Sequence, residues 1–246
     1  MGGGASQTGP QSADLVELAR RLGAGLSPVD AAWSVAAIGD QTADALPAAE
    51  VELIDGANGK RQKEFIAGRV LAHAGLTALG ADTGPLLPAA RGALAWPTGI
   101  VGSISHCDDV CACLVARSSG LTWVGVDLEE YEPLPARVVP RVMSAKERRA
   151  IGDLVDSRRA GRIVFSAKEC FYKALAPALD RVLAFAEVEV SLVSCAPGAG
   201  TFDATFVEPS ARPRGCPKRL GGSWSVAGST LLTRIADSTD TVTSAG

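Results

Sequence analysis

WVGVDLEE at residues 123–130 and FSAKECFYKA at residues 165–174 bracket the stretch around which the chain is organised. The first segment reads as a strand. Side chains alternate sides along a strand, so Trp123, Gly125, Asp127 and Glu129 share one face, while Val124, Val126 and Leu128 turn to the other, into a core. The second reads as a helix in which Phe165, Glu169 and Lys173 recur at i, i+4 and i+8 and form one stripe. Three carboxylates and a lysine on two regular elements are the ingredients of a hard-cation site facing a phosphate, because Mg²⁺ takes oxygen ligands and shares them with substrate phosphates. Gly125, on the carboxylate face, leaves room beneath them in this reading. Plainer readings stay open. Asp127 and Glu129 also fit a solvated acidic strand end continued by Glu130 and Glu132, and Glu169–Lys173 is the favourable i, i+4 surface pair of an ordinary helix.

Working outward, residues 12–23 read as a helix with Ser12 or Asp14 as N-cap and Gly23 as its stop. DAAWSVAAI at 30–38 is a strand or a short apolar helix; periodicity does not separate the two. Residues 46–80 read as one helix, a turn at Gly56–Gly59, and a longer helix from about Lys60 to Leu79. Leu71, Ala74 and Ala78 supply part of its apolar face, and Lys60, Arg61, Lys63 and Arg69 make its start basic. A Pro- and Gly-rich loop at 81–99 precedes two short buried strands, 100–104 and 110–116, set around a loop from Ser105 to Asp109. Pro133, Pro135 and Pro140 exclude a continuous helix over 130–141. Ser144 with Glu147 marks a capping box for a helix reaching Leu154, and the helix from about Gly161 ends near Pro177. Residues 185–207 and 222–236 predict antiparallel strands with turns at 197–200 and 209–217. Residues 1–11 and 237–246 are expected to be disordered tails. LPAAE at 46–50 before a basic helix with KEF, and MSAKE at 143–147 before one with AKE, form a faint internal echo. It suggests two related α+β halves meeting near residue 120.

The chain has 246 residues, 47% of them hydrophobic and 21% charged, enough for one large domain or two small ones with real cores. A net charge of −3 predicts no bulk attraction to nucleic acid or to a membrane surface. No apolar run reaches the length of a membrane span, and no secretory signal is evident. The start, MGGGAS, formally fits an N-myristoylation pattern at Gly2 and Ser6, and reads more simply as a Gly-rich tail or leader. Six cysteines without a secretory signal point to reduced thiols and a cytoplasmic protein. His106, Cys107, Cys111 and Cys113 are four candidate zinc ligands, but their spacing misses the structural-zinc patterns, and VCACLVA is an apolar run in which small buried cysteines are common.

Beyond the central stretch, His106 opens a loop between buried strands, where a structural hydrogen bond and a phosphate contact are equally good readings; His73 reads as structural or exposed. The basic start of the 60–79 helix is a solvated face or a phosphate grip. Arg137, Arg141, Lys146, Arg148, Arg149, Arg158, Arg159 and Arg162 form a second basic region suited to an acidic partner.

Four segments stand in order: KRQKEFIAGR at 60–69, WPTGIVGSISHC at 96–107, VGVDLE at 124–129 and FSAKECFYKA at 165–174. Together they resemble the motifs of the Sfp-type 4′-phosphopantetheinyl transferases, over roughly residues 46–176, and GSWSVAGSTLLTRIA at 222–236 is similar to that family's closing strands. The resemblance implies an α+β fold of two pseudo-symmetric halves with the active site at their interface. The N-terminal half, 12–120, would bind coenzyme A; the C-terminal half, 121–236, would bind metal and carry the chemistry. It implies Mg²⁺ as cofactor, or Mn²⁺ in its place, coenzyme A as donor, and a serine of an acyl or peptidyl carrier protein as acceptor. Carried over by position, Asp127, Glu129 and Glu169 would hold the metal, with Glu169 as ligand, base or both. Arg61, Arg69, Arg91, Ser105 and His106 would contact coenzyme A phosphates, and Lys168 and Lys173 the phosphates near the scissile bond. The loop 85–95 lacks some of the lysine and proline common in the family, which weakens the case for Arg91. Two alternatives follow from the same residues: a non-catalytic relative that keeps coenzyme A and carrier affinity, and a zinc-stabilised structural protein. A monomer is expected, because one chain supplies both halves.

Overall fold

The computed structural model describes residues 11–89, 93–151, 157–179 and 181–238. Arg91 and, of the expected tails 1–11 and 237–246, residues 1–10 and 239–246 lie outside the described residues; Gln11 caps the first helix and Asp237 still belongs to the last strand. In chain order the elements are α1 (Ser12–Leu22), β1 (Ala31–Ala37), α2 (Ala48–Val51), α3 (Gly59–Ala78), β2 (Ile100–Cys107), β3 (Val110–Arg117), β4 (Trp123–Glu130), α4 (Val139–Val142), α5 (Ala145–Ala150), α6 (Ser157–Leu175), β5 (Val188–Ala196), β6 (Ala199–Phe206), β7 (Arg219–Ala227) and β8 (Thr230–Asp237). They form two antiparallel sheets, ordered β1-β3-β2 and β4-β8-β7-β6-β5. α3 lies across the first sheet and α6 across the second. The fold is thus α+β in two halves, as the sequence predicts. No helix among the described residues is long and apolar enough to cross a membrane.

The alternation in β4 has the expected consequence on one side. Val124, Val126 and Leu128 are buried with Ala112, Leu114 and Ala116 of β3, Leu18 and Leu22 of α1, and Leu232 of β8, forming the core between the sheets. β2 and β4 are each an edge strand, and edge strands carry unpaired N–H groups that must find acceptors when buried. Two serines of β2 supply them: Ser103 Oγ accepts from Val126 N–H at 3.0 Å and Ser105 Oγ from Leu128 N–H at 3.1 Å. Two side chains therefore join the halves where a backbone ladder does not.

On the other face of β4 the sequence reading needs correcting. The space at Gly125 belongs to α6: a Cβ there would lie 2.2 Å from the carbonyl oxygen of Cys170. The glycine lets helix backbone rest directly on strand. Overpacking costs about 1–3 kcal/mol, and an immovable backbone atom puts this case at the upper end. Gly125→Ala is therefore expected to lower the melting temperature by about 6–12 °C; thermal unfolding followed by circular dichroism checks it, and an unchanged transition would mean that α6 does not rest on β4 in this way.

Other boundaries shift for identifiable reasons. β1 resolves the strand-or-helix ambiguity at 30–38 in favour of strand. The N-cap of α1 is Gln11, with no side-chain cap; Ser12 is already helical, and Asp14 sits in the first turn, where a carboxylate suits the helix dipole. α3 starts one residue early because Asn58 Oδ1 accepts from Arg61 N–H at 2.9 Å. Its buried stripe is Ala67, Gly68, Leu71, Ala72, Gly75 and Leu76, while Ala74 and Ala78, expected inside, are exposed. The loop expected at Ser105–Asp109 shrinks to a two-residue turn, so His106 stands on a strand. Asp108 takes the left-handed conformation, φ 49°, that such hairpin turns require and that Asp tolerates. The capping box at Ser144 and Glu147 is present, but the helix closes at Ala150 with Ile151 as its C-cap, short of the expected Leu154; residues 152–156 lie outside the described residues.

Candidate active site

β4 and α6 together place the acidic residues. Asp127, buried on β4, accepts from Lys173 Nζ at 2.7 Å and from Ser105 Oγ at 3.3 Å through Oδ1, and from Ser166 Oγ at 2.7 Å through Oδ2. Thr233 of β8, its hydroxyl 2.8 Å from Ser166 Oγ, completes the chain. Two residues on along the same face, Glu129 accepts from Arg162 Nη1 at 2.7 Å. Burial, and then the charge of Asp127, push the Glu129 carboxyl up to about 7. The same two causes in the same order raise Glu169 on α6. The charge of Asp127 thus bears on Glu129 and on Glu169 in a partly desolvated place, and a hard divalent cation relieves repulsion of that kind between oxygen donors. Among the described residues no three His, Cys, Asp or Glu side chains stand assembled as a metal site; Asp127, Glu129 and Glu169 offer only oxygen donors, the ligand chemistry that a Mg²⁺ ion takes.

In front of them opens a cleft of about 890 Å³ between the halves. Its lining includes Arg61, Glu64 and Arg69 from α3, His106 from β2, and Glu169 and Lys173 from α6; Phe65, Trp96, Tyr172 and Phe185 give it apolar walls. Lys173 faces this cleft while bonded to Asp127, so it links the carboxylates to the open space. Arg61 is exposed, 3.6 Å from Glu64. His106 Nε2 lies 3.8 Å from the same carboxylate; burial holds the imidazole below its ordinary range, against the pull of Glu64. Arg69 is mostly buried, stacked over the Phe65 ring at 4.5 Å.

The structure puts Arg61, Arg69, His106, Glu169 and Lys173 on one cleft, with Asp127 bonded to Lys173 and Glu129 two residues further along β4, and sets two expected phosphate contacts apart. Lys168 is fully buried on the other side of α6, its ammonium bonded to Glu147 at 2.9 Å and to the carbonyls of Val142 and Phe185 at 2.7 and 3.0 Å. All three of its donors are engaged in joining α4, α5 and α6, so none is offered to the cleft. Ser105 is likewise turned inward, engaged with Leu128 N–H, with Lys173 at 2.8 Å and with Asp127. It orients the site's charged pair and does not stand in the cleft.

Several residues of the site escape a reading of the sequence. Ser166 and Arg162 bond the two β4 carboxylates; they lie three and seven residues before Glu169, helical spacings that put them on the same side of α6, which is the signal that would have found them. Arg162 and part of the basic region expected to meet an acidic partner are used internally. Arg162 also donates to Glu132 O, Lys146 pairs with Glu189, and Arg148 donates to Met143 O. Cys111 and Cys113 are core residues under α3, with thiol pKa values raised by burial. Asp108 sits at the hairpin tip against Glu130, whose carboxyl it raises by a hydrogen bond.

Both halves of the chain match known protein families. The family described as 4′-phosphopantetheinyl transferase N-terminal domain matches residues 49–116, and the 4′-phosphopantetheinyl transferase superfamily matches residues 123–211. The chain is 38% identical over 183 residues to the 4′-phosphopantetheinyl transferase Svp of Streptomyces mobaraensis, covering 72% of each chain. It is 34% identical over 194 residues to the transferase Npt of Nocardia iowensis, covering 76% of this chain and 87% of that one. It is 33% identical over 192 residues to the transferase PptT of Mycobacterium tuberculosis, covering 76% and 83%. With matches of this extent over both halves, the chain belongs to the 4′-phosphopantetheinyl transferase superfamily.

Proposed function

We propose that the cleft between the halves is where this transferase moves the 4′-phosphopantetheine arm of coenzyme A to a carrier-protein serine, and that the residues above divide the work. The observation that supports the assignment is the Lys173 ammonium, held by Asp127 at 2.7 Å and facing a cleft that also holds Glu169, Arg61, Arg69 and His106, with the charge of Asp127 felt by both Glu129 and Glu169. Residues 12–120 supply the grip on the donor: Arg61 and Arg69 face its phosphates with fixed charge, and His106 with a ring N–H. Residues 121–236 supply the reacting end. Asp127, Glu129 and Glu169 would hold Mg²⁺, which when bound neutralises charge on the diphosphate.

The serine oxygen forms a bond to the phosphorus that carries the pantetheine, the bond from that phosphorus to the bridging oxygen breaks, and 3′,5′-ADP leaves. Glu169, at the cleft wall, takes the serine proton. Lys173 presents its ammonium to the phosphoryl oxygens as charge shifts onto them, a stabilisation that needs no reorganisation because Asp127 and Ser105 already orient it. Acceptors of this kind include carrier domains of polyketide, nonribosomal peptide and fatty-acid synthases. The ligand assignment is tested by equilibrium dialysis with Mn²⁺ as probe in the presence of coenzyme A. Glu129→Gln and Glu169→Gln are each expected to weaken binding by at least about tenfold, since even residues behind the ligands cost 10–100-fold. Parental affinity in both variants would contradict it.

A further inference from the structure

The N-terminal half contains a fully buried carboxylate that the chemistry above does not use. Glu50, on the four-residue α2, has no exposed surface. Its Oε1 accepts from Leu86 N–H at 2.8 Å and lies 2.7 Å from His73 Nε2; its Oε2 lies 3.1 Å from Arg69 Nε. With Glu50 ionised, His73 Nε2 carries the proton. A carboxylate is costly to bury unless paired and hydrogen-bonded, and here the pairing leads to the cleft. Arg69 and His73 stand one turn apart on α3, and Arg69 lines the cleft with its guanidinium over Phe65. Burial lowers the arginine's hold on its proton, and the charge of Glu50 is the largest influence opposing that.

The contact between Glu50 Oε2 and Arg69 Nε is an ion pair without a directed hydrogen bond. Among the described residues, no hydrogen bond engages the terminal nitrogens of Arg69. Leu86, held by the same carboxylate, precedes Pro88, Leu94 and Trp96, which form part of the cleft wall.

We infer that Glu50 is a positioning residue for the donor: it sets the Arg69 guanidinium at the cleft wall and pins the start of the segment that builds that wall, so the phosphate grip is formed before coenzyme A arrives. The inference rests on the reading of Arg69 as a phosphate contact. Its test is steady-state kinetics with coenzyme A as the varied substrate, for Glu50→Gln, Arg69→Met and the double variant, each with a thermal melt. Glu50→Gln keeps an acceptor for Leu86 N–H and removes the charge. It is expected to raise KM for coenzyme A about tenfold, the scale of one charge-assisted contact, with kcat within a few-fold of the parent.

Because Glu50 acts through Arg69, the double variant is expected to match Arg69→Met alone. A Glu50→Gln protein that only melts earlier, with KM unchanged, overturns the inference while leaving Arg69 in place, as does a double variant whose KM exceeds that of Arg69→Met. If the single amide variant does not fold, the comparison of the double variant with Arg69→Met still decides, because neither leaves an arginine without its partner. An unchanged KM in Arg69→Met is a different failure. It removes Arg69 from the phosphate grip, and the inference with it.

Discussion

Asp127→Asn is expected to lower the rate of phosphopantetheine transfer by about 10²–10³-fold, the cost of removing one preorganised electrostatic group from a reacting centre. The replacement keeps the shape of the side chain, and its neighbours tolerate the change: the amide oxygen still accepts from Lys173, and the Ser166 hydroxyl can turn to accept from the amide. The loss is therefore expected without a change in fold. Three effects combine in it. The carboxylate is one of three proposed to share a cation. It anchors the Lys173 ammonium at 2.7 Å by charge as well as by a hydrogen bond, and the neutral amide keeps only the hydrogen bond, so the lysine is held less firmly at the cleft. It also contributes the charge that raises Glu129 and Glu169. Initial-rate assays alongside a melting curve separate these from simple unfolding; a variant that turns over within a few-fold of the parent would remove Asp127 from the site.

Lys168→Met should act on stability instead. Removing one member of a buried ion pair typically costs 3–5 kcal/mol, and about 3 kcal/mol is expected here because Glu147 keeps two backbone donors. Those are Ser144 N–H at 2.6 Å and Val190 N–H at 2.7 Å. The variant also leaves the carbonyls of Val142 and Phe185 without their lysine. For a chain of this size the melting temperature should fall by about 6–12 °C, with KM for coenzyme A little changed in the folded fraction. This contrast matters because the family resemblance places Lys168 among the phosphate contacts, whereas the structure places it within the protein. A parental melting temperature combined with a raised KM would reverse the structural reading.

The regular elements and the main acidic residues were legible in the chain because they rest on short-range patterns. Period-two alternation gives β4 and its inter-sheet face, and the i, i+4 stripe puts Glu169 and Lys173 together on α6. Misreadings arise where a pattern does not say what lies opposite. Gly125 signals close approach, but nothing local tells whether a ligand or a helix backbone approaches. On α3 the alanines are too small to mark a face by hydrophobicity. The buried stripe includes Gly68 and Gly75, chosen by closeness to the sheet: a Cβ at Gly75 would fall 2.8 Å from Val115. Lys168 and Glu169 are adjacent in sequence yet on different sides of their helix, and the partner that draws Lys168 inward, Glu147, stands 21 residues earlier on another helix. The serines that join the two edge strands, and Glu50 beneath Arg69, depend on contacts between distant segments that no spacing encodes.

The most direct test is intact-mass spectrometry of an apo acyl carrier protein incubated with this protein and coenzyme A, with Mg²⁺ or with excess EDTA. The predicted result is a mass gain of one phosphopantetheine arm on the carrier in Mg²⁺, lost in EDTA and recovered when Mg²⁺ is restored. Carriers of several types that stay unmodified in Mg²⁺, or a gain that persists undiminished in EDTA, would contradict a cation-assisted transferase built on Asp127, Glu129 and Glu169.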